Sequence, residues 1–190
     1  RQRQMCIRDS PSSMALDPFT LLVLTSAMAA ASALYLAAEW RSVRERSLLL
    51  WSTGFAIIAV GCVLALLRSR GYVLFGIWFP NGMLIVAHWM FLSGVAAFTR
   101  TRLPRAWWLL VAVWLAMLAL PGGPWWSKAM LGIQSLLIAV ISLRAGLLLR
   151  PQGGALTLSV GAAQLRFVLL VHGLFYLAKA CLLYTSPTHE

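Results

Sequence analysis

The sequence predicts an all-α fold: a polytopic transmembrane helix bundle of about six spans, the last one truncated. Three observations lead there. Of 190 residues, 61% are hydrophobic. The apolar residues gather into uncharged stretches close to the ~20 that a bilayer core demands of a helix. Between these stretches lie short turns rich in Arg, Pro and Gly, where a chain is most readily broken.

Both ends are set aside from the fold. Residues 1–10 read RQRQMCIRDS and residues 181–190 read CLLYTSPTHE. Met5 to Ser10 can be encoded as atg tgt ata aga gac ag, and the reverse complement of that string, read one base in, encodes Cys181 to Thr185. The string matches the mosaic end of a transposase-based sequencing adapter, whose flanks also account for Arg1 to Gln4 and, with one base lost, Pro187 to Glu190. Segments of such origin do not belong in fold reasoning. The membrane module is therefore expected over residues 11–180, with Met14 as its natural start, and packing is expected to weaken beyond Lys179.

Within 11–180 there are 13 Lys and Arg against three acids, Asp17, Glu39 and Glu45, a net charge of +10. In a soluble domain that excess would point to nucleic acid. Here the arginines interrupt apolar runs instead of forming a face, so the partner is the lipid bilayer and nucleic acid is excluded. Cys62 is the one cysteine left in this segment, so it has no intramolecular disulfide partner.

The first span, residues 19–38, reads FTLLVLTSAMAAASALYLAA, without charge, Pro or Gly. Small residues recur in it at helical spacing, Ser26/Ala30 and Ala29/Ala33/Ala37, which lets two backbones approach closely in lipid. They are read as a packing face inside the bundle, with a homodimer interface as the alternative. EWRSVRERS leads to the second span, 48–67, and RSRG to the third, 72–98. TRTRLPRA precedes a short fourth span, 107–120, and PGGPWW a fifth, 129–149, with Arg144 in its last turns. RPQGG breaks that helix, and a run at 167–180 is the incomplete sixth.

Lys and Arg in short loops set the orientation. With the N-terminus outside, the inner side holds Arg41, Arg44, Arg46, Arg100, Arg102, Arg105, Arg144, Arg150 and Arg166. Arg68, Arg70, Lys128 and Lys179 fall outside, so nine against four favours that orientation.

Few residues could carry chemistry. In WFPNG, Pro80 removes a backbone donor, Gly82 loosens the helix and Asn81 places an amide in the membrane, a candidate hinge or ligand-sensing point. A Pro kink re-satisfied by a neighbouring helix is the simpler reading. His88 and His172 lie in the third and sixth spans, and a bis-histidine haem would need both at one depth. At ~1.5 Å per residue His88 is about 15 Å from Phe98 and His172 about 8 Å from Phe167, a poor match that an earlier start of the sixth span would turn into an overshoot. They are read as interhelical hydrogen-bonding residues, with haem the minor alternative; no cofactor and no metal is expected. No paired carboxylates, phosphate loop, HExxH or GxSxG is present, so no catalytic residue is nominated and the chain is not expected to be an enzyme by itself.

LDPFTLL opens the first span, an Arg-rich loop leads to Trp51, Gly54 and Gly61, the basic turn RSRG precedes a span holding Asn81, and that span ends at Phe98 and TRTRLPR. This order resembles the N-terminal membrane region of certain bacterial GGDEF-domain diguanylate cyclases. The resemblance implies a sensory or anchoring module in the bacterial inner membrane, controlling the dimeric pairing of a cytoplasmic domain that makes cyclic di-GMP and that would follow a further span. The alternatives are a stand-alone small transporter or cytochrome-like membrane subunit, and the sensor region of a histidine kinase.

Overall fold

The computed structural model describes residues 17–67, 78–117, 124–150 and 160–185, and among them there is no strand. Six α-helices follow one another: α1 (Pro18–Val43), α2 (Arg46–Ala65), α3 (Phe79–Phe98), α4 (Trp108–Ala116) after a 3-10 turn at Arg105–Trp107, α5 (Pro124–Leu148) and α6 (Val160–Thr185). Five of these are long and apolar enough to cross a membrane, and α4 is shorter. Residues 72–77 and 118–120 of the expected third and fourth spans lie outside the described residues.

Local chemistry explains the helix ends. Pro18 opens α1, where its missing N–H has no intrahelical acceptor to lose. The helix closes on Arg44 in the left-handed region at φ 61°, whose N–H bonds to the Trp40 carbonyl at 2.8 Å. Helix α3 closes in the same manner: Arg100 has φ 54°, its N–H bonds to Ala97 O at 3.2 Å, and Thr101 N–H reaches back to Ala96 O at 2.8 Å. That pattern satisfies carbonyls that a helix end leaves open.

Two boundaries differ from the sequence expectation. Helix α6 begins at Val160, seven residues before Phe167. Gln164 and Arg166 interrupt the uncharged run without interrupting the backbone ladder. The helix also passes Lys179 and continues to Thr185, with Cys181 and Leu182 exposed. Cys181 to Leu183 are as apolar as the span before them and extend it at no polar cost.

Small residues set the packing, as lipid requires where no hydrophobic force drives helices together. Between α1 and α2, Ser52 Oγ donates to Ala33 O at 2.8 Å and Ser26 Oγ to Ala59 O at 3.1 Å. Ala29 and Ala33 are buried within the single chain, so the small-residue face of the first span packs inside the bundle. Between α2 and α3, Gly54 meets Phe91, Gly61 meets Pro80 and Met83, and Gly94 meets Trp51. Between α5 and α6, Gly146 meets Leu170 and Gly173 meets Leu143. All three pairs are antiparallel.

Helix α4 also runs antiparallel to α3: the Trp108 ring lies tilted against Trp89 at 4.9 Å, and Trp114 stacks near Trp78 and meets Gly82. Trp126 Nε1 donates to Met117 O at 3.3 Å, which starts α5 where α4 ends. The up-and-down course therefore gathers Arg41, Arg44, Arg46, Arg100, Arg102 and Arg105 at one end of the bundle, with Arg144, Arg150 and Arg166, while Lys128 and Lys179 lie toward the other. The core forms between α3 and α5 around Ile85, Leu92, Met130, Ile138 and Ile141. Over its most apolar stretch α5 is 56% buried, against 11% for α1 and 6% for α6, which leaves those two at the lipid-facing perimeter.

Candidate functional site

His88 sits halfway along α3 and is buried. Its Nδ1 lies 2.7 Å from the Leu84 carbonyl one turn back, and its Nε2 lies 3.0 Å from Nε2 of His172 on α6. A carbonyl only accepts, so Nδ1 donates and Nε2 of neutral His88 presents a lone pair, which makes His172 the donor between them. The two rings are nearly parallel, 10° apart in plane with centroids at 5.2 Å. Phe91 stands edge-on to His88 at 5.8 Å. Tyr176, one turn beyond His172, lies 4.8 Å from the His172 ring and 6.2 Å from that of His88. Lys179 Nζ is 5.4 Å from the Tyr176 ring centroid.

The depth mismatch expected between these histidines does not hold, because it rested on a sixth span starting at Phe167. From Val160, His172 lies about 18 Å along α6, and His88 lies about 15 Å from Phe98 on the antiparallel α3. The imidazoles meet near mid-bundle.

A second feature adjoins the pair. A cavity of about 140 Å³ opens between the first three helices, lined by Leu22 of α1, Ile58, Gly61, Cys62 and Ala65 of α2, and Pro80, Asn81 and Leu84 of α3. The lining is apolar except for the Asn81 amide and the Cys62 thiol. Leu84 belongs to both features, since it lines the cavity and its carbonyl holds His88.

The candidate hinge residues thus separate. Pro80 and Asn81 face α1 and α2, whereas Gly82 faces α4: a Cβ on Gly82 would lie 2.5 Å from Nε1 of Trp114. Pro80 falls in the first turn of α3 as described, where proline is tolerated. A kink there would need helix on both sides, and residues 68–77 lie outside the described residues.

Among the described residues no group of three or more His, Cys, Asp or Glu is placed to hold a metal ion. Tyr176 was not singled out from the sequence, although its spacing of four from His172 puts both on one helix face. Phe91 carried no comparable signal, because its role depends on Gly54 opposite it. No family model, curated protein or solved structure matches the chain.

Proposed function

We propose that the chain is a membrane sensory or anchoring module of a bacterial signalling protein, of the type that precedes a GGDEF diguanylate cyclase domain and regulates cyclic di-GMP synthesis. It lies in the inner membrane with the N-terminus outside and the arginine end of the bundle in the cytoplasm, in accord with the preference of Lys and Arg for that side.

The observation that carries the reading is the link through Leu84. The α1–α2–α3 cavity, with one amide at Asn81, suits a small lipid-soluble signal, and an apolar cavity of similar size, about 150 Å³, is known to hold a molecule as large as benzene. The peptide unit of Leu84 passes any displacement to His88, and His88 passes it to His172 on α6, the helix from which an output domain would be reached. A shift in helix packing at Pro80 and Asn81 is the proposed switching event.

Reading the genomic frame onward from Ala180 tests this. A GGDEF motif beyond a further span supports the cyclase, a kinase domain would transfer the module to that output, and an early stop would reject a fused output altogether. The second reading, a stand-alone cytochrome-like subunit, is favoured by one observation, the approach of His88 to His172.

A further inference from the structure

Helices α1 and α3 finish at the same end of the bundle, and each closes on an arginine in the left-handed region, Arg44 at φ 61° and Arg100 at φ 54°. Glycine is the usual residue there, because a Cβ strains that backbone conformation. The preference for Lys and Arg in short loops is met by a basic residue anywhere in the turn, so orientation alone does not put arginine where glycine fits best. A strained side chain kept at two equivalent places points to a use for the guanidinium group itself.

The two turns lie side by side. Contacts of Gly54 with Phe91 and of Gly94 with Trp51 draw α2 and α3 together, and the Trp51 and Phe98 rings are 6.2 Å apart near this end. Arg46 begins α2 about 7.5 Å before Trp51, and Arg100 follows Phe98 by two residues, so the charges of the two turns meet across one helix-packing distance of about 8–10 Å. Arg41, Arg44, Arg46, Arg100, Arg102 and Arg105 are all exposed there, with Glu39 and Glu45 as the neighbouring acids, an excess of four positive charges. Among the described residues none of the six forms an ion pair, and Arg44 holds its guanidinium over the Trp40 ring at 5.0 Å. Val43, Phe98, Trp108 and Leu109 flank the same turns in sequence, apolar and exposed.

This combination selects the ligand. The anion must sit where apolar helices end and must offer hydrocarbon to the side chains beside it, which describes a phospholipid with a net negative headgroup. The fork of arginine binds a phosphate through two parallel hydrogen bonds, and basic pockets between transmembrane helices hold such headgroups. A zwitterionic headgroup brings its own cation to a site already in positive excess. Free phosphate has no chains to lay on Phe98 or Trp108.

We propose that the α1–α2 and α3–α4 turns form one binding site for an anionic glycerophospholipid. Arg44 and Arg46 of the first turn and Arg100 and Arg102 of the second hold its phosphate, and its acyl chains lie against Phe98, Trp108 and Leu109. The bound lipid ties the two turns together and so fixes α1 and α2 to α3 at this end. The site requires only that these helices end at a layer of lipid headgroups, whichever side of the membrane that is and whatever output domain follows.

The test uses the full chain, stripped of lipid in an uncharged detergent, with thermal unfolding followed by circular dichroism. Phosphatidylglycerol, phosphatidylcholine and glycerol 3-phosphate are the probes. Phosphatidylglycerol is expected to raise the unfolding temperature, saturating at about one lipid per chain and weakening as salt is added, while the other two leave it unchanged. Arg100→Gly starts from a higher unfolding temperature than the wild type and loses the response, so a lost site is not mistaken for a lost fold. Arg46→Gln and Arg102→Gln each weaken the response, and Lys128→Gln, at the opposite end of the bundle, keeps it in full. No effect of phosphatidylglycerol on the wild type overturns the proposal. Equal shifts with phosphatidylcholine, which would need the acyl chains only, overturn it too, as does glycerol 3-phosphate reproducing the shift by itself. A response that Lys128→Gln weakens as much as Arg100→Gly would reduce the effect to overall charge and is equally fatal. None of these outcomes bears on the reading frame beyond Ala180, so the lipid site and the signalling role fail separately.

Discussion

Trp51 on α2 occupies the space that a side chain on Gly94 of α3 would fill, and from there its Nε1 donates to the Phe91 carbonyl at 3.2 Å. A Cβ at position 94 would run into the indole. Gly94→Ala should lower stability by about 1–3 kcal/mol, as overpacking does. Trp51→Phe, which keeps a ring and loses the hydrogen bond, should have the smaller effect. Thermal unfolding in detergent orders the two, and equal effects would mean that the close contact is not what joins α2 to α3.

Helix α1 packs along its length on α2, and two serine hydroxyls donate across that seam. Ser52→Ala removes the buried bond to Ala33 O, a change expected to lose about 0.6 kcal/mol and at most about 1.7. Ser26→Ala, at a partly exposed site, should lose less. Limited proteolysis of the α1–α2 turn reports the difference as faster cleavage in the Ser52 variant.

Glycines of α5 and α6 divide into two kinds. A Cβ on Gly173 would lie 2.7 Å from Leu143 Cγ and 3.0 Å from its backbone nitrogen, whereas one on Gly132 or Gly161 would meet nothing within 4 Å. Gly173→Ala should therefore destabilise by about 1–3 kcal/mol. Gly132→Ala should stabilise by about 0.5–1 kcal/mol through helix propensity alone. Melting temperatures that move in the same direction would contradict this packing of α5 on α6.

Arg44 and Arg100 adopt positive φ without being glycine. The left-handed region costs an L-residue about 1–2 kcal/mol. Arg100→Gly should raise the unfolding temperature in detergent, where orientation plays no part. If it lowers it, the guanidinium makes a compensating contact at the end of α3.

Orientation is accessible to labelling. In a background without other cysteines, Arg102→Cys should resist a membrane-impermeant thiol reagent applied to intact cells, and Lys128→Cys should react. The opposite pattern would reverse the proposed topology.

The bundle was largely legible from sequence because uncharged length is a strong signal. Helices α1, α2 and α5 match the apolar runs that predicted them to within five residues at each end. The start of α6 was not legible, since Gln164 and Arg166 end an apolar run long before they end a helix, and the apparent depth mismatch between His88 and His172 followed from that single boundary. Which way Gly82 faces was hidden too: it depends on Trp114, thirty-two residues away on a helix whose rotation no local pattern specifies. Pro80 and Asn81 were noticed for their chemistry, but the walls opposite them, Leu22 and Ile58, look like any other aliphatic residues until the helices are assembled.

Leu84 serves two masters through one peptide group. A guest that wedges against this residue lengthens or shortens the 2.7 Å bond from the imidazole, and the electron density on the ring's far nitrogen changes with it. A molecule held in that oily crevice would thereby alter the donor strength at the midpoint of the bundle, in step with the proposed shift of α3 at Pro80 and Asn81.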